Sequence, residues 1–463
     1  MRDLTGANSE RRANESIQHF PGDDRERRQA QGGNSSFDVG EGVMQINGFT
    51  MPSWRRECLA SAKIHVVYDP CISSVPGGGL FAVLAIQDHR AKCIVFRSEP
   101  FLSRLVSEVR RKREPMTMPR ELTFERILVI KLRLIGDVLL STPVFAALRE
   151  RFPKAHIAAC VSAGTGGILD GDPNVTEIIS GTVGARESGK VGKELGIARK
   201  IRRGRFDLVL DLTTSDRSAI LTRLSGARRR IGYTSHKGFW GRSASYTSRV
   251  AAVRDEHMVL KHCRILEPLG IRVESPKLVF PVSVENRAVV ANLLPEGKAF
   301  FQVHPVSRIA KKNWPLTFFA ETVNAIAAAR GWVPVITGSN DPQEKAEIVS
   351  LKKMLRGQMV DLSGRVSLKE LGAVSERAKF FLGVDTAPMH IAAAVGAPVA
   401  AFFGPSSEQL WAPWCEKKLV LSREELDCRL PCKNKHGCQT IHCLREFTPE
   451  VVWPRVEKFL NGL

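Results

Sequence analysis

The chain has 463 residues, with 68 Lys+Arg against 48 Asp+Glu and a formal net charge of +20. At roughly 100–200 residues per domain that length allows two to four domains, and the apolar fraction of 43% with 25% charged residues excludes a mainly disordered or collagen-like chain. The longest apolar runs, residues 78–87 and 391–404, are shorter than the roughly 18–20 residues of a bilayer span or are broken by Gly and Pro, so no integral membrane protein is expected. The start, with Arg2, Asp3, Glu10 and Asp23, has no apolar signal core, so no secretory export is expected.

The charge is unevenly placed. Residues 1–120 hold 18 Lys+Arg and 14 Asp+Glu, which leaves 50 against 34, a net of +16, for the rest. A basic body favours an anionic partner: nucleic acid, an acidic membrane face or a phosphorylated substrate.

Residues 1–42 are rich in Arg, Asp, Glu, Ser and Gly and read as disorder. Short apolar runs at 64–68 and 80–86 are interrupted by Pro70, Pro76 and three consecutive glycines. They allow a small strand-rich module, but the preferred reading is that 1–120 is a poorly organised extension upstream of a true start at Met116 or Met118. No function is placed there.

From Phe124 the pattern changes. Residues 126–131 (Arg-Ile-Leu-Val-Ile-Lys) predict a strand buried on both faces. A helix follows over 138–151, where Leu139, Leu140, Val144, Ala147 and Leu148 recur at helical spacing. Further strands are predicted at 156–161, 206–212 and 228–233. After Pro281 the alternation restarts, with strands at 300–305, 333–338, 379–385 and 398–403. The helices of this second part are predicted at 315–330, 367–377 and 387–395. Strands alternating with helices imply parallel βαβ units. The expected fold class is therefore α/β, with two doubly wound domains, 124–280 and 297–445. They are joined near 282–296 and followed by a closing helix within 446–463. Ligands of open α/β sheets sit at the carboxyl ends of the strands, so two such domains would face each other across a cleft.

Three clusters fall at those ends. Lys131-Leu132-Arg133-Leu134-Ile135-Gly136-Asp137 leaves the first strand, with Asp137 opening a helix whose dipole favours a carboxylate. Asp137 reads either as a reactive group or as a plain N-cap, and no G-x-G-x-x-G dinucleotide fingerprint follows the strand. His304-Pro305-Val306-Ser307-Arg308 and Lys311-Lys312-Asn313-Trp314-Pro315 place cations and a hydroxyl ahead of a helix, which suits phosphate or a merely solvated loop. Trp314 either stacks on a ligand or covers the core. Gly383-Val384-Asp385-Thr386-Ala387-Pro388-Met389-His390 runs a buried strand into a helix whose first-turn N–H groups suit a diphosphate, with Pro388 welcome there. The late cysteines Cys428, Cys432, Cys438 and Cys443 lack the C-x2-C pairs of a convincing zinc site.

In this order the segments resemble the ADP-heptose:lipopolysaccharide heptosyltransferases, glycosyltransferase family 9. The carrying features are Ile-Leu-Val-Ile-Lys with Gly136-Asp137-Val138-Leu139-Leu140-Ser141-Thr142-Pro143, then Lys311-Lys312-Asn313-Trp314-Pro315, Thr337-Gly338, Leu362-Ser363-Gly364, and Gly383 through His390. The first loop is most similar to the heptosyltransferase III branch, with branches I and II and a GT-B nucleotide-sugar epimerase as alternatives. The resemblance implies a GT-B fold and inverting, metal-independent transfer without a cofactor, ADP-heptose being the donor substrate. It implies Asp137 as general base and Lys312 as the group neutralising the leaving ADP. It implies a donor site of Ser307, Gly338, Val366 over the adenine, Asp385 on heptose hydroxyls, the Thr386, Ala387, Pro388 and Met389 turn, and His390 near the diphosphate. Arg133, Gly136 and Arg217 are the acceptor candidates. The chain departs from the family turn at Ala387-Pro388, where the family often has Gly. The implied acceptor is the lipid A–core oligosaccharide, reached from the cytoplasm by peripheral contact with the anionic inner membrane, and no nucleic-acid partner is implied.

Overall fold

The computed structural model describes residues 123–181, 190–234, 238–239, 241–422 and 442–463, together with three short strands nearer the start. The chain divides into two units, Met1–Arg120 and Glu121–Leu463. In the first, Lys63–Val67 pairs antiparallel with both Ser36–Phe37 and Val83–Gln87, so the two early apolar runs fall on paired strands. Met116 and Met118 lie outside the described residues.

Among its described residues the second unit holds two parallel sheets of six strands each. In its first half the strands are β1 (Arg126–Lys131), β2 (His156–Ser162), β3 (Glu177–Gly181), β4 (Leu208–Asp211), β5 (Arg229–Tyr233) and β6 (Ser248–Val250). Helices α1 (Ile135–Leu139), α2 (Thr142–Arg151), α3 (Lys190–Arg203), α4 (Asp216–Leu224) and α5 (Met258–Arg264) accompany them. The second half has β7 (Phe300–His304), β8 (Val333–Ile336), β9 (Val360–Asp361), β10 (Phe381–Val384), β11 (Val399–Phe403) and β12 (Lys418–Ser422). Before it comes α6 (Val284–Ala291), and within it α7 (Leu316–Arg330), α8 (Pro342–Lys352), α9 (Leu368–Arg377), α10 (Ala387–Ala394), α11 (Glu408–Trp411), α12 (His442–Glu446) and α13 (Pro449–Asn461). Numbered within its own half, each sheet runs 3-2-1-4-5-6, the doubly wound order that binds ligands where the strand order reverses.

The central strands are apolar on both faces because both faces are covered. Along β1, Ile127 and Val129 join one buried cluster while Leu128 and Ile130 join another, the period-2 alternation of a strand sandwiched between helix layers. The first of these clusters continues through Phe280, Val282, Val290 and Leu294 to Val335, Leu371 and Val374, so one core runs across both halves. The expected joining segment at 282–296 therefore contains a helix, α6, started by Ser283, whose hydroxyl accepts from the Asn286 N–H at 3.2 Å. In the second half Trp314 is buried and stacked on Phe402 with ring centroids 3.9 Å apart. Of its two sequence readings, the core one holds. Its indole N–H donates to the Phe447 carbonyl at 2.8 Å, ahead of α13, which buries Val452, Val456 and Leu460 in the same core.

The single helix expected over 138–151 is two helices, and Pro143 is the reason. Its missing N–H leaves the Leu139 carbonyl without its helical donor. The Thr142 hydroxyl donates there instead at 2.8 Å, Ser141 Oγ bonds the Val138 carbonyl at 2.7 Å, and the Val144 N–H turns to Ser141 O at 3.0 Å. Hydroxyls competing for backbone carbonyls are a known cause of helix bending.

No helix among the described residues is long and apolar enough to cross a membrane.

Candidate functional site

Strand order reverses between the first and fourth strands of each half, and the loops leaving those four strands carry most of the expected residues. Gly136 and Asp137 follow β1, Arg217 follows β4, Ser307 and Lys312 follow β7, and Asp385 to His390 follow β10. The ends of β1 and β4 are clipped together by Thr213, whose hydroxyl accepts from the Leu132 N–H at 2.8 Å and donates to Ile130 O at 3.2 Å.

Behind Asp137 lies a buried polar relay. Asp137 Oδ1 is 3.2 Å from Lys131 Nζ, at the last residue of β1, and the lysine side chain is only 3% exposed. An ammonium has three N–H donors, and Lys131 Nζ has three acceptors: Asp137 Oδ1, His262 Nε2 at 2.9 Å and the Leu212 carbonyl at 3.4 Å. Because Nε2 accepts, His262 carries its proton on Nδ1, which donates to the Leu140 carbonyl at 3.0 Å. That carbonyl sits at the break between α1 and α2, so the kink made by Pro143 anchors the relay. Burial, with the charge of Lys131 beside it, holds His262 well below its usual pKa and therefore neutral. Burial also lowers Lys131, while Asp137 opposes the shift.

Across from this group, α1 packs against α10. A Cβ at Gly136 would lie 2.9 Å from His390 Cδ2 and 3.7 Å from the Ala387 Cα, so only glycine allows the approach. Burial drives His390 down to about 4 against the opposing charges of Asp385 and Asp137. Its ring is neutral at physiological pH, and its buried Nδ1 has no hydrogen-bond partner. Lys312 Nζ bonds Asp385 Oδ2 at 2.5 Å and the Asp385 carbonyl at 3.3 Å, joining the loops after β7 and β10.

The structure thus gathers Gly136, Asp137, Lys312, Asp385, Ala387 and His390. The other expected residues sit around or away from this centre. Ser307 is half-buried and its Oγ accepts from the Ile309 N–H at 3.2 Å. Gly338 lies two residues beyond β8, its carbonyl accepting from Gly364 N at 2.9 Å, and Val366, two residues after Gly364, packs on the main core cluster. In the turn at 386–389 Pro388 has no N–H, and that of Met389 is committed to the Thr386 carbonyl at 3.2 Å. The Met389 side chain is core, with Phe381 and Phe403. The turn therefore offers fewer free donors than its place at a helix start suggests. Arg133 is exposed, with Nη2 3.5 Å from the Thr213 carbonyl. Arg217 already faces a carboxylate, Glu194, at 2.7 and 3.0 Å. His304, read with the phosphate cluster, is buried in the sheet beside the Thr337 hydroxyl (3.1 Å) and pushed down to about 4.

A family model for glycosyltransferase family 9 (heptosyltransferase) matches residues 195–440, more than half of the chain. The chain belongs to glycosyltransferase family 9. This enzyme is 29% identical over 291 residues to lipopolysaccharide heptosyltransferase 3 of Escherichia coli, covering 61% of this chain and 84% of the relative. A family 9 glycosyl transferase of known structure from Veillonella parvula matches with a TM-score of 0.63 at 22% identity, covering 74% of this chain and 99% of that one. The E. coli ADP-heptose lipopolysaccharide heptosyltransferase II matches at 0.58 and 22%, covering 73% and 99%. The glycosyltransferase carries the GT-B fold of these structures, as its motifs implied.

Proposed function

We propose that this glycosyltransferase moves a heptose from ADP-heptose to the inner core of lipopolysaccharide, in the manner of heptosyltransferase III, with inversion at the anomeric carbon. The observation that carries the reading is the pairing of an Asp137 carboxylate, held on one oxygen by Lys131, with the Lys312–Asp385 pair across the α1–α10 contact. Asp137 takes the proton of the acceptor hydroxyl as that oxygen bonds to the anomeric carbon. The bond from that carbon to the diphosphate breaks, and its electrons leave on the phosphate oxygen as ADP. Lys312 exchanges Asp385 for the diphosphate and stabilises the charge developing there. Asp385 is then available to heptose hydroxyls, and the unpartnered Nδ1 of neutral His390 supplies a further contact. No metal or cofactor takes part in this scheme. The acceptor is a lipid-borne phosphosugar, so the enzyme works at the cytoplasmic face of the inner membrane, bound peripherally.

The test is incubation with ADP-heptose and truncated core acceptors, with products followed by mass. Asp137→Asn is expected to lose transfer by about 1000-fold or more while binding donor, and Lys312→Ala to weaken both donor binding and turnover. Conversion of the sugar nucleotide without any acceptor would replace this reading with an epimerase.

A further inference from the structure

Fourteen Lys+Arg and three Asp+Glu lie between residues 195 and 254, so 11 of the 16 net charges after residue 120 come from one 60-residue stretch. It forms most of α3, then β4, α4, β5, a 3-10 turn at Arg242–Ser245 and β6. Between α4 and the 3-10 turn is an open groove of about 210 Å³, lined by Ile220, Arg223, Leu224, Phe239, Ala244 and Ser245 among others. Ile220, Leu224 and Phe239 are 48%, 49% and 41% exposed. Ile220 and Leu224, four residues apart, share one face of α4, while Ala219 and Leu221 fill the core from the other.

The rim is basic. Arg223 lines the groove, and the Arg202 guanidinium lies at the end of α4, 3.3 Å from the Ser225 carbonyl. Arg230 donates to the Ser245 carbonyl at 2.8 Å. Burial lowers its pKa, and the charge of Arg223 adds to the effect. These contacts are to carbonyls, which leave the cationic charge uncompensated. The acid at this site, Asp216, is 3.5 Å from Arg242.

We propose that this groove is the docking surface for an anionic phospholipid bilayer. Ile220, Leu224 and Phe239 enter the headgroup region while the rim arginines bind lipid phosphates, the combination of exposed apolar and cationic side chains by which surface elements hold to membranes. A nucleic acid would meet the charge but leave the apolar floor in water. A second copy would bring two strongly cationic faces together. The groove lies one short helix away from the cleft. Its helix α4 follows the carboxyl end of β4, and Leu224 is about 12 Å along the axis from its first residue. The purpose of docking, though not its geometry, rests on the lipid-borne acceptor proposed above.

The test is sedimentation of the full chain with vesicles of phosphatidylcholine alone or with about 30% phosphatidylglycerol. Binding is expected only with phosphatidylglycerol, and should fall as salt rises from about 0.05 to 0.5 M. Arg223→Glu, Phe239→Ser and the pair Ile220→Asp/Leu224→Asp should each weaken it by about 10-fold or more. Turnover of a delipidated, soluble acceptor should stay within about 2-fold of wild type in all of them, which also reports their folding. Binding by all three variants equal to wild type, or no preference for the anionic vesicles, overturns the proposal. Self-association that Phe239→Ser abolishes would give the face to a second copy. Duplex DNA binding lost in Arg223→Glu but kept in Phe239→Ser would give it to nucleic acid. If the transferase reading itself fails, the wild type will not turn over the soluble acceptor, whatever the vesicles show.

Discussion

Lys131 shows how one residue can carry a role that composition and motif leave unspoken. A lysine ending a strand whose four preceding positions are fully buried is costly to place unless all three of its N–H groups find acceptors. Here Asp137, His262 and the Leu212 carbonyl supply them. The loop from Lys131 to Asp137 was legible because a carboxylate at a helix start after a buried strand is a local pattern. His262 was not, since it lies 131 residues away on α5 with no motif around it. Lys131→Met is expected to lower kcat by about 100-fold, because Asp137 loses the contact that orients it, with the donor KM changed by less than about 3-fold. The thermal midpoint should fall as well, since the buried His262 Nε2 and Leu212 carbonyl lose their donor. Lys131→Arg should not rescue, because a planar fork cannot point at three diverging acceptors. A kcat per folded molecule equal to that of the wild type would make Lys131 a purely structural residue.

Elements were read most accurately where burial is two-sided. β1, β7, β10 and β11 are short apolar runs whose pattern needs no knowledge of neighbours, and the expected ranges differ from the observed ones by a residue or two. β3, β6, β9 and β12 were not anticipated. All four are the edge strands of their sheets, where one-sided pairing relaxes the demand for apolar residues. Helix α6 escaped notice because its segment looked like a linker, though it packs on α9 and feeds the shared core. The split between α1 and α2 was also missed, and it has a consequence at this scale. Pro143→Ala restores the N–H that Leu139 lacks and lets the two helices merge, drawing the Leu140 carbonyl toward Val144 and away from His262. The expected result is a protein as stable as wild type or slightly more so, with kcat reduced about 10-fold. Unchanged kcat in a merged helix, seen by crystallography, would show that the kink does not support the relay.

On the scale of the molecule, the two halves are tied by contacts that depend on neutral histidines. His257 caps α5 by accepting the Val259 N–H on Nδ1 at 3.2 Å, and donates from Nε2 to the Ala412 carbonyl of the other half at 2.9 Å. Trp414, 4.7 Å from the His257 ring, donates to the Pro276 carbonyl at 2.7 Å, and Lys369 reaches the Ile168 and Pro281 carbonyls, each at 3.2 Å. His390 of α10 packs on Gly136 of α1 across the same interface, His262 bonds the Leu140 carbonyl within the first half, and His304 lies inside the second sheet. Burial lowers all four, His304 and His390 to about 4. The sign follows from proton uptake. Below about pH 6.5 the unfolded chain binds protons that these native rings refuse, so stability falls as pH falls, by up to about 1.4 kcal/mol per pH unit for each ring until its native pKa is reached. Buried Asp172 and Asp211, whose pKa values are raised, act in the opposite direction, and a paired comparison cancels them. Urea melts of the wild type and His304→Asn should therefore converge by about 2 kcal/mol between pH 6.5 and 5. Parallel curves would mean that His304 takes up protons in the native protein as it does in the unfolded chain.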